Sequence, residues 1–310
     1  MCIRDRFNAL RISAQRVEQF HMNTVPESWF DEAQGYGELI RPLEKVGIYI
    51  PGGRASYPST VLMTAIPARV AGVKEVFLAT PSTGQAGINA DVLAAAYVAN
   101  VDQVFNIGGA QAIAAFAYGT DTIPKVDMIC GPGNLFVTIA KKMVYGQVGI
   151  DGLAGPTETL IVADDTADPR LCAADLLGQA EHDLLATPVL ITTSEPLVTK
   201  IMLEIDKQME SLSKKETASA SIENRGVIVV VDTIDDALTI ANSYAPEHLC
   251  LMIEEPWNAI DKVSNAGGII LGENSPEVMG DYIAGPSHVM PTGGTAVSYT
   301  HLTLPTILLV

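Results

Sequence analysis

Short apolar runs rich in Val, Ile and Leu recur along the whole chain, and helical stretches separate many of them. The runs are Val46–Ile50, Glu75–Ala79, Gln103–Ile107, Met128–Cys130, Leu160–Ala163, Val189–Thr193, Val227–Val231, Leu249–Ile253 and Gly268–Leu271. Most end in Gly, Pro, Asp or Ser. The helical stretches include Val61–Ala71, Asp91–Ala99, Ala110–Tyr118, Leu135–Tyr145, Pro169–Glu181 and Ile234–Ser243. Apolar strands alternating with helices predict βαβ units on a parallel sheet covered on both faces. The strands outnumber what one mononucleotide-binding half needs. The fold expected is therefore α/β, with two doubly wound Rossmann-like domains and largely parallel sheets. The two sets of strands are compatible with an old duplication of one fold. A length of 310 residues, 48% of them hydrophobic and 6% aromatic, supplies core for one large or two medium domains. Lys207–Asn224 is polar and rich in Ser and charge, and reads as an exposed helix and loop.

The formal charge of -17 repels a phosphate backbone, which argues against nucleic-acid binding. It does not bar an anionic cofactor, because a local nest of backbone N–H groups can hold one. Cys2, Cys130, Cys172 and Cys250 are scattered and show no C-x-x-C spacing. Cys130 and Cys172 lie in apolar surroundings and read as inert core thiols. A reducing, cytoplasmic compartment fits this usage. No apolar run reaches the roughly 20 residues of a membrane span, so no membrane association is expected.

Six segments carry polar chemistry. Pro51-Gly52-Gly53, Gly108-Gly109-Ala110-Gln111 and Gly131-Pro132-Gly133-Asn134 each follow a strand signal, and the last two precede helices. Glycine there lets backbone N–H groups approach a phosphate at a helix N-terminus, although none completes G-x-G-x-x-G. Any one of these loops could be a tight βα turn; three at successive strand ends favour a ligand crevice. Gln179-Ala180-Glu181-His182-Asp183 closes the helix that begins near Pro169. Positions i and i+3 share a helix face, so Gln179 and His182 can point at one centre. Imidazole suits zinc and an amide oxygen is a rarer ligand, while a lone Q-x-x-H is more often a surface or capping pair. Ala245-Pro246-Glu247-His248-Leu249 places a Glu and a His together between a helix and a strand. They form either an acid/base pair or a Pro-stopped helix end with a His on its dipole. Gly280–His288 and Pro291–Thr295 read as a loop dense in Gly and Pro that carries Asp281 and His288. There Asp281 could equally close a turn.

Taken together, seven blocks in order resemble histidinol dehydrogenases. They are Y-I-P-G-G at Tyr49–Gly53, G-G-A-Q-A-I at Gly108–Ile113, G-P-G-N at Gly131–Asn134, A-G-P-T-E at Ala154–Glu158, Q-A-E-H-D, A-P-E-H-L and G-D-Y-x-A-G-P-x-H. The resemblance covers roughly Arg41 to Ala296. It implies oxidation of L-histidinol to L-histidine through the aldehyde, using two NAD in turn, as the last step of histidine biosynthesis. By matching position, Gln179, His182 and Asp281 would be zinc ligands. His248 would take the hydroxyl proton, and Glu247 would activate the water that hydrates the aldehyde. Thr157 and His288 would contact substrate, together with Gln179, His182, Glu247 and Asp281. Tyr49, Gln111 and Asn134 would line the NAD site. The domains expected are 49–156 for NAD, inserted in a zinc and substrate domain of 7–48 and 157–296.

The resemblance also implies a homodimer, in which a His and a Glu from the partner's C-terminal tail complete the zinc shell and the substrate contacts. No such tail is visible here. Residues 1–6 and 297–310 resemble translated adapter sequence and are expected to be non-native. On that view the chain is a truncated piece with a three-ligand zinc site, weaker hold on the metal and reduced or absent activity. Two alternatives stand beside this reading. One is a related zinc and NAD dehydrogenase acting on another small polyhydroxy or sulfonated alcohol. The other is an inactive nucleotide-binding fragment. A zinc hydrolase would need H-E-x-x-H, which is absent. An aldehyde dehydrogenase would need an activated thiolate.

Overall fold

The computed structural model describes residues 3–52, 56–82, 84, 87–153 and 155–290. They divide into two units. The first comprises the described residues up to 153 together with Gly280–Val289, and the second runs Gly155–Met279 with Met290.

The first unit opens with α1 (Ile3–Met22) and a small antiparallel hairpin of β1 (Trp29–Asp31) and β2 (Tyr36–Glu38). A doubly wound segment follows: β3 (Lys45–Tyr49), α2 (Pro58–Val70), β4 (Glu75–Thr80), α3 (Ala90–Val98), β5 (Gln103–Asn106), α4 (Gly109–Tyr118), β6 (Met128–Cys130), α5 (Leu135–Val144) and β7 (Gly149–Ile150). The strands form one parallel sheet in the order β5-β4-β3-β6-β7. Side chains alternate across β3, so Val46, Ile48 and Ile50 pack with Val61, Leu62 and Ala95 of α2 and α3. Tyr49 faces the other way, with Ile113 and Phe116 of α4 and Val137 of α5. Both faces are covered, as the unbroken apolar runs predict.

The second unit contains β8 (Glu158–Ala163), α6 (Pro169–Ala180), β9 (Thr187–Thr192), α7 (Glu195–Met209), α8 (Lys215–Arg225), β10 (Val227–Val230), α9 (Ile234–Tyr244), β11 (His248–Met252), a 3-10 segment Pro256–Lys262 and β12 (Gly268–Leu271). Its sheet is again parallel, in the order β10-β9-β8-β11-β12. Ile161, Leu190 and Cys250 pack on α6 and α7, while Leu160, Val162 and Leu249 pack on α9. Each sheet thus places its third, second, first, fourth and fifth strand in that spatial order, the doubly wound pattern expected from the alternation. Short helix α10 (Glu277–Tyr282) begins in this unit, and from Gly280 onward its residues belong to the first.

Three expectations need correction. The motifs place residues 7–48 with the zinc and substrate domain and start the NAD domain at residue 49. In fact β3, which ends at Tyr49, is the central strand of the first sheet, and Leu10, Ala14 and Val17 of α1 pack into the core with Val46 and Ile48. Residues 157–296 were expected to stay together, yet Gly280–Val289 joins the first unit. There the Ser13 hydroxyl donates to the Tyr282 carbonyl, Arg16 donates to the Ile283 carbonyl at 3.1 Å, and Ser287 donates to the Met63 carbonyl at 2.9 Å. The segment read as a loop around Asp281 begins as helix α10. The stretch 207–224 is the helix and loop expected, and α8 also anchors it by burying Ala218 and Ser221, whose hydroxyl donates to the Ala186 carbonyl at 2.9 Å. Gly53, Ala154, Pro291–Thr295, His301 and the tails at 1–2 and 297–310 lie outside the described residues.

Candidate active site

In the first unit the glycine loops gather at the carboxyl edge of the sheet. β3 and β6 are adjacent, and the strand order reverses between them, which is where a doubly wound sheet opens a crevice. Tyr49 ends β3 with its ring buried, and its hydroxyl accepts a hydrogen bond from Gly109 N–H at 3.1 Å. Gln111 is exposed on the first turn of α4. Asn134 caps α5, its Oδ1 accepting from Phe136 N–H at 3.1 Å and Val137 N–H at 3.2 Å. The structure therefore brings Tyr49, Gln111 and Asn134 to one edge. Gly131 has a φ of +108°, and a Cβ there would lie 2.1 Å from the Tyr49 carbonyl oxygen. Only glycine fits. Also in this unit, His288 stands between Thr60 and Asp281. Its Nε2 lies 3.1 Å from the Thr60 hydroxyl. Its Nδ1 lies 3.0 Å from the Asp281 carbonyl oxygen and 3.4 Å from Asp281 Oδ1.

The second unit collects its polar groups at the amino ends of β8 and β11. These strands pair in parallel with His248 opposite Thr159, so the residues just before them become neighbours. Gln179 Nε2 donates to Thr157 Oγ1 at 2.6 Å, and that hydroxyl donates to Glu247 Oε2 at 2.7 Å. Gln179 is only 4% exposed. With its amide nitrogen engaged by Thr157, its carbonyl oxygen is the end left to meet a metal or substrate. His248 is buried, with Nδ1 3.3 Å from the Glu158 carbonyl, 3.6 Å from Glu277 Oε1 and 3.8 Å from Glu247 Oε2. The neutral tautomer that fits carries its proton on Nδ1 and its lone pair on Nε2. Glu277 accepts a hydrogen bond from the Thr159 hydroxyl. Burial and the neighbouring Glu247 charge push the Glu158 carboxyl up. Burial lifts Asp175 to about 6, against one favourable backbone hydrogen bond from Glu277. This concentration of carboxylates favours a cationic ligand and stabilises an imidazolium as it forms.

Glu277, Asp175 and Glu158 are the residues the sequence reading missed. Two placements also differ from it. Helix α6 ends at Ala180, so His182 sits exposed in the turn that follows the helix, its N–H bonded to the Gln179 carbonyl at 3.1 Å. Similarly, α9 ends at Tyr244 and Ala245 turns left-handed (φ 57°), so His248 is the first residue of a strand rather than part of a helix end. Among the described residues no three His, Cys, Asp or Glu side chains are grouped to hold a metal ion.

A family model described as histidinol dehydrogenase matches residues 3–308. The histidinol dehydrogenase of Prochlorococcus marinus is 51% identical over 97% of this chain and 69% of its own length. That of Dehalococcoides mccartyi strain CBDB1 is 52% identical over 94% and 67%. The chain belongs to the histidinol dehydrogenase family. The crystal structure of the Elizabethkingia anophelis histidinol dehydrogenase superimposes with a TM-score of 0.89 at 40% identity, covering 93% of this chain and 67% of that one. This places the chain among oxidoreductases with two Rossmann-like sheets. An acetylating aldehyde dehydrogenase from Geobacillus thermoglucosidasius also superimposes, with a TM-score of 0.57 at 14% identity, and shares the fold alone. In this member of the histidinol dehydrogenase family the thiols among the described residues do not suit a nucleophile. Burial pushes the Cys172 thiol up to about 12 and raises the Cys130 and Cys250 thiols as well, so each stays protonated near neutral pH. Among the described residues no helix is long and apolar enough to cross a membrane.

Proposed function

We propose that the chain oxidises L-histidinol to L-histidine through the aldehyde, with zinc and two NAD. The observation that carries this reading is the hydrogen-bonded file Gln179–Thr157–Glu247 beside the buried His248, in a chain of this family. His248 Nε2 accepts the substrate hydroxyl proton as the carbon-bound hydrogen leaves as hydride. Its Nδ1 side, held toward the Glu158 carbonyl and flanked by carboxylates, stabilises the imidazolium. Glu247, oriented by the Thr157 hydroxyl, takes a proton from the water that adds to the aldehyde carbon. His248 releases its first proton to solvent; the resulting hydrate then loses a hydride to the second NAD and a hydroxyl proton to His248, and becomes the acid.

Gln179, His182 and Asp281 would hold zinc, which would supply a fixed Lewis-acid anchor for the substrate imidazole and amine. The oxygen and imidazole donors suit that role, and the free carbonyl end of Gln179 fits it. Tyr49, Gln111 and Asn134 would line the nucleotide crevice, while Thr157 and His288 would contact substrate. A homodimer and a cytoplasmic location accompany this reading.

The test is NADH formation from L-histidinol by the purified protein, with zinc and with a chelator. Two NADH per histidinol, abolished by the chelator, are expected. Glu247→Gln should stop at one NADH and His248→Asn should yield none. Failure of the zinc-loaded protein to turn over histidinol would overturn the reading.

A further inference from the structure

Two buried charged residues of the first unit take no part in the chemistry above. Lys141 is 3% exposed and Asp151 7%, and they form an ion pair. Together they hold both sides of one residue. Gly131 N–H donates to Asp151 Oδ2 at 2.6 Å, and Lys141 Nζ donates to the Gly131 carbonyl at 3.0 Å. The fold explains the meeting. β6 and β7 are parallel neighbours, with Ile129 opposite Ile150, so the residues just past their ends lie side by side. Lys141 sits two turns into α5, and helical side chains lean toward the N-terminus, which returns its ammonium to the loop that starts the helix.

Such a pair is a poor stabilising device. Taking two charges out of water is costly, and well-packed apolar residues of similar volume commonly do as well or better. What the pair contributes is geometry. Gly131 begins the Gly131-Pro132-Gly133-Asn134 loop at the crevice edge, in a backbone conformation open only to glycine. Anchoring its N–H and its C=O fixes the peptide planes on either side. The ammonium also neutralises the negative end of the Gly131 carbonyl, which would otherwise repel an approaching phosphate.

We propose that Lys141 and Asp151 are positioning residues that hold the Gly131–Asn134 loop in the shape that receives the cofactor diphosphate. This rests on the nucleotide reading of the crevice given above. The decisive variant is the apolar double replacement Lys141→Met/Asp151→Leu, which leaves no lone buried charge. It should fold with a melting temperature near that of the parent. Its KM for NAD should rise about tenfold or more, since small misplacements of binding groups cost up to roughly a hundredfold. kcat at saturating NAD and KM for histidinol should stay within about twofold, a split that general loosening does not produce. NADH affinity, followed by its fluorescence, should fall in parallel. A folded double variant with unchanged NAD affinity would overturn the proposal while leaving the nucleotide reading intact. Parent protein that binds no NADH would overturn both. If the double variant does not fold, Asp151→Asn, which keeps an acceptor for Gly131 N–H, must show the same split in milder form, and its absence would count equally against the proposal.

Discussion

Thr157 offers the sharpest single perturbation, because one hydroxyl serves two partners in opposite senses. It accepts from Gln179 Nε2 at 2.6 Å and donates to Glu247 Oε2 at 2.7 Å. Thr157→Val keeps the shape and deletes both bonds. The bond to the carboxylate is charge-assisted, worth roughly 1.5–3 kcal/mol, and the amide bond roughly 0.5–1.5 kcal/mol. Gln179 is almost fully buried, so its stranded N–H bears the full loss. The Glu247 side chain retains 21% exposure and can recover water, which brings its share to the low end. The sum is about 2–3 kcal/mol. At roughly 2–4 °C per kcal/mol for a unit of this size, the melting temperature should fall by about 4–12 °C. Thr157→Ser keeps the hydroxyl and should lose less than about 1 kcal/mol, the value of one buried methyl.

The kinetic signature is separate from the thermal one. Without the Thr157 hydroxyl, Glu247 loses the group that aims it, so hydration of the aldehyde should slow more than oxidation of the alcohol. Single-turnover NADH formation should then split into a near-normal first step and a second step slowed about tenfold or more. The assay pair is a thermal melt and stopped-flow NADH formation on parent, Ser and Val proteins. If Val matches the parent in both, the hydrogen-bonded file has no energetic or catalytic weight and the reasoning fails.

Other perturbations test separate links. Ala245→Gly relieves the left-handed conformation at the end of α9 (φ 57°), and chemical denaturation should show a gain of about 0.5–1 kcal/mol after the entropy cost of glycine. His21 is buried with no hydrogen-bond partner for either ring nitrogen among the described residues, and burial lowers it from 6.5 to about 4. Its unfolded form therefore binds the proton first as pH falls, so stability is full above about 6.5 and declines toward about 4, by at most about 3 kcal/mol. Replacing it by Leu should flatten that decline in denaturation measured across the window. Phe116 is fully buried against β3, where a Cβ on Gly47 would meet its ring at 2.8 Å. Phe116→Ala should cost about 3–5 kcal/mol in the same assay, with Gly47 too small to refill the space.

How much of this was legible in sequence follows from where each signal originates. Strands buried on both faces announce themselves as unbroken apolar runs, and all those expected are present. The hairpin β1–β2 gives no such signal because Trp29, Phe30 and Tyr36 remain exposed, and β7 is only two residues long. The boundary at residue 49 misled because a motif marks the end of a strand while the strand itself belongs to what it pairs with. Gln179, Thr157, Glu247 and His248 were legible as motif residues, but their hydrogen-bond order was not. Glu277 carried no local signal at all. Its partner Thr159 lies 118 residues away, and only the return of the chain after β12 brings them together. Lys141 was hidden for a related reason: within α5 it reads as an ordinary surface lysine, and only the pairing of β6 with β7 supplies the buried carboxylate it meets.

The two sheets share a strand order, yet their carboxyl edges carry different residues. At the carboxyl edge of the first sheet, glycine loops lead into the starts of α4 and α5. At the same edge of the second, β8 runs into Ala163-Asp164-Asp165-Thr166-Ala167-Asp168. Asp168 caps α6, its Oδ1 accepting from Arg170 N–H at 2.8 Å, while Glu273 accepts from Asp168 N–H at 2.9 Å and Asp164 from Glu254 N–H at 2.8 Å. The backbone donors that would cradle a phosphate at that helix start are already satisfied by the protein's own carboxylates, whose charge would repel one. With the usual crevice closed in this way, the second unit's buried polar groups collect instead at the amino ends of β8 and β11, where Thr157, Glu158, Glu247 and His248 are set side by side by strand register. The side chains available at that edge carry protons and negative charge but offer no glycine cradle, which fits the proton transfer proposed above better than dinucleotide binding.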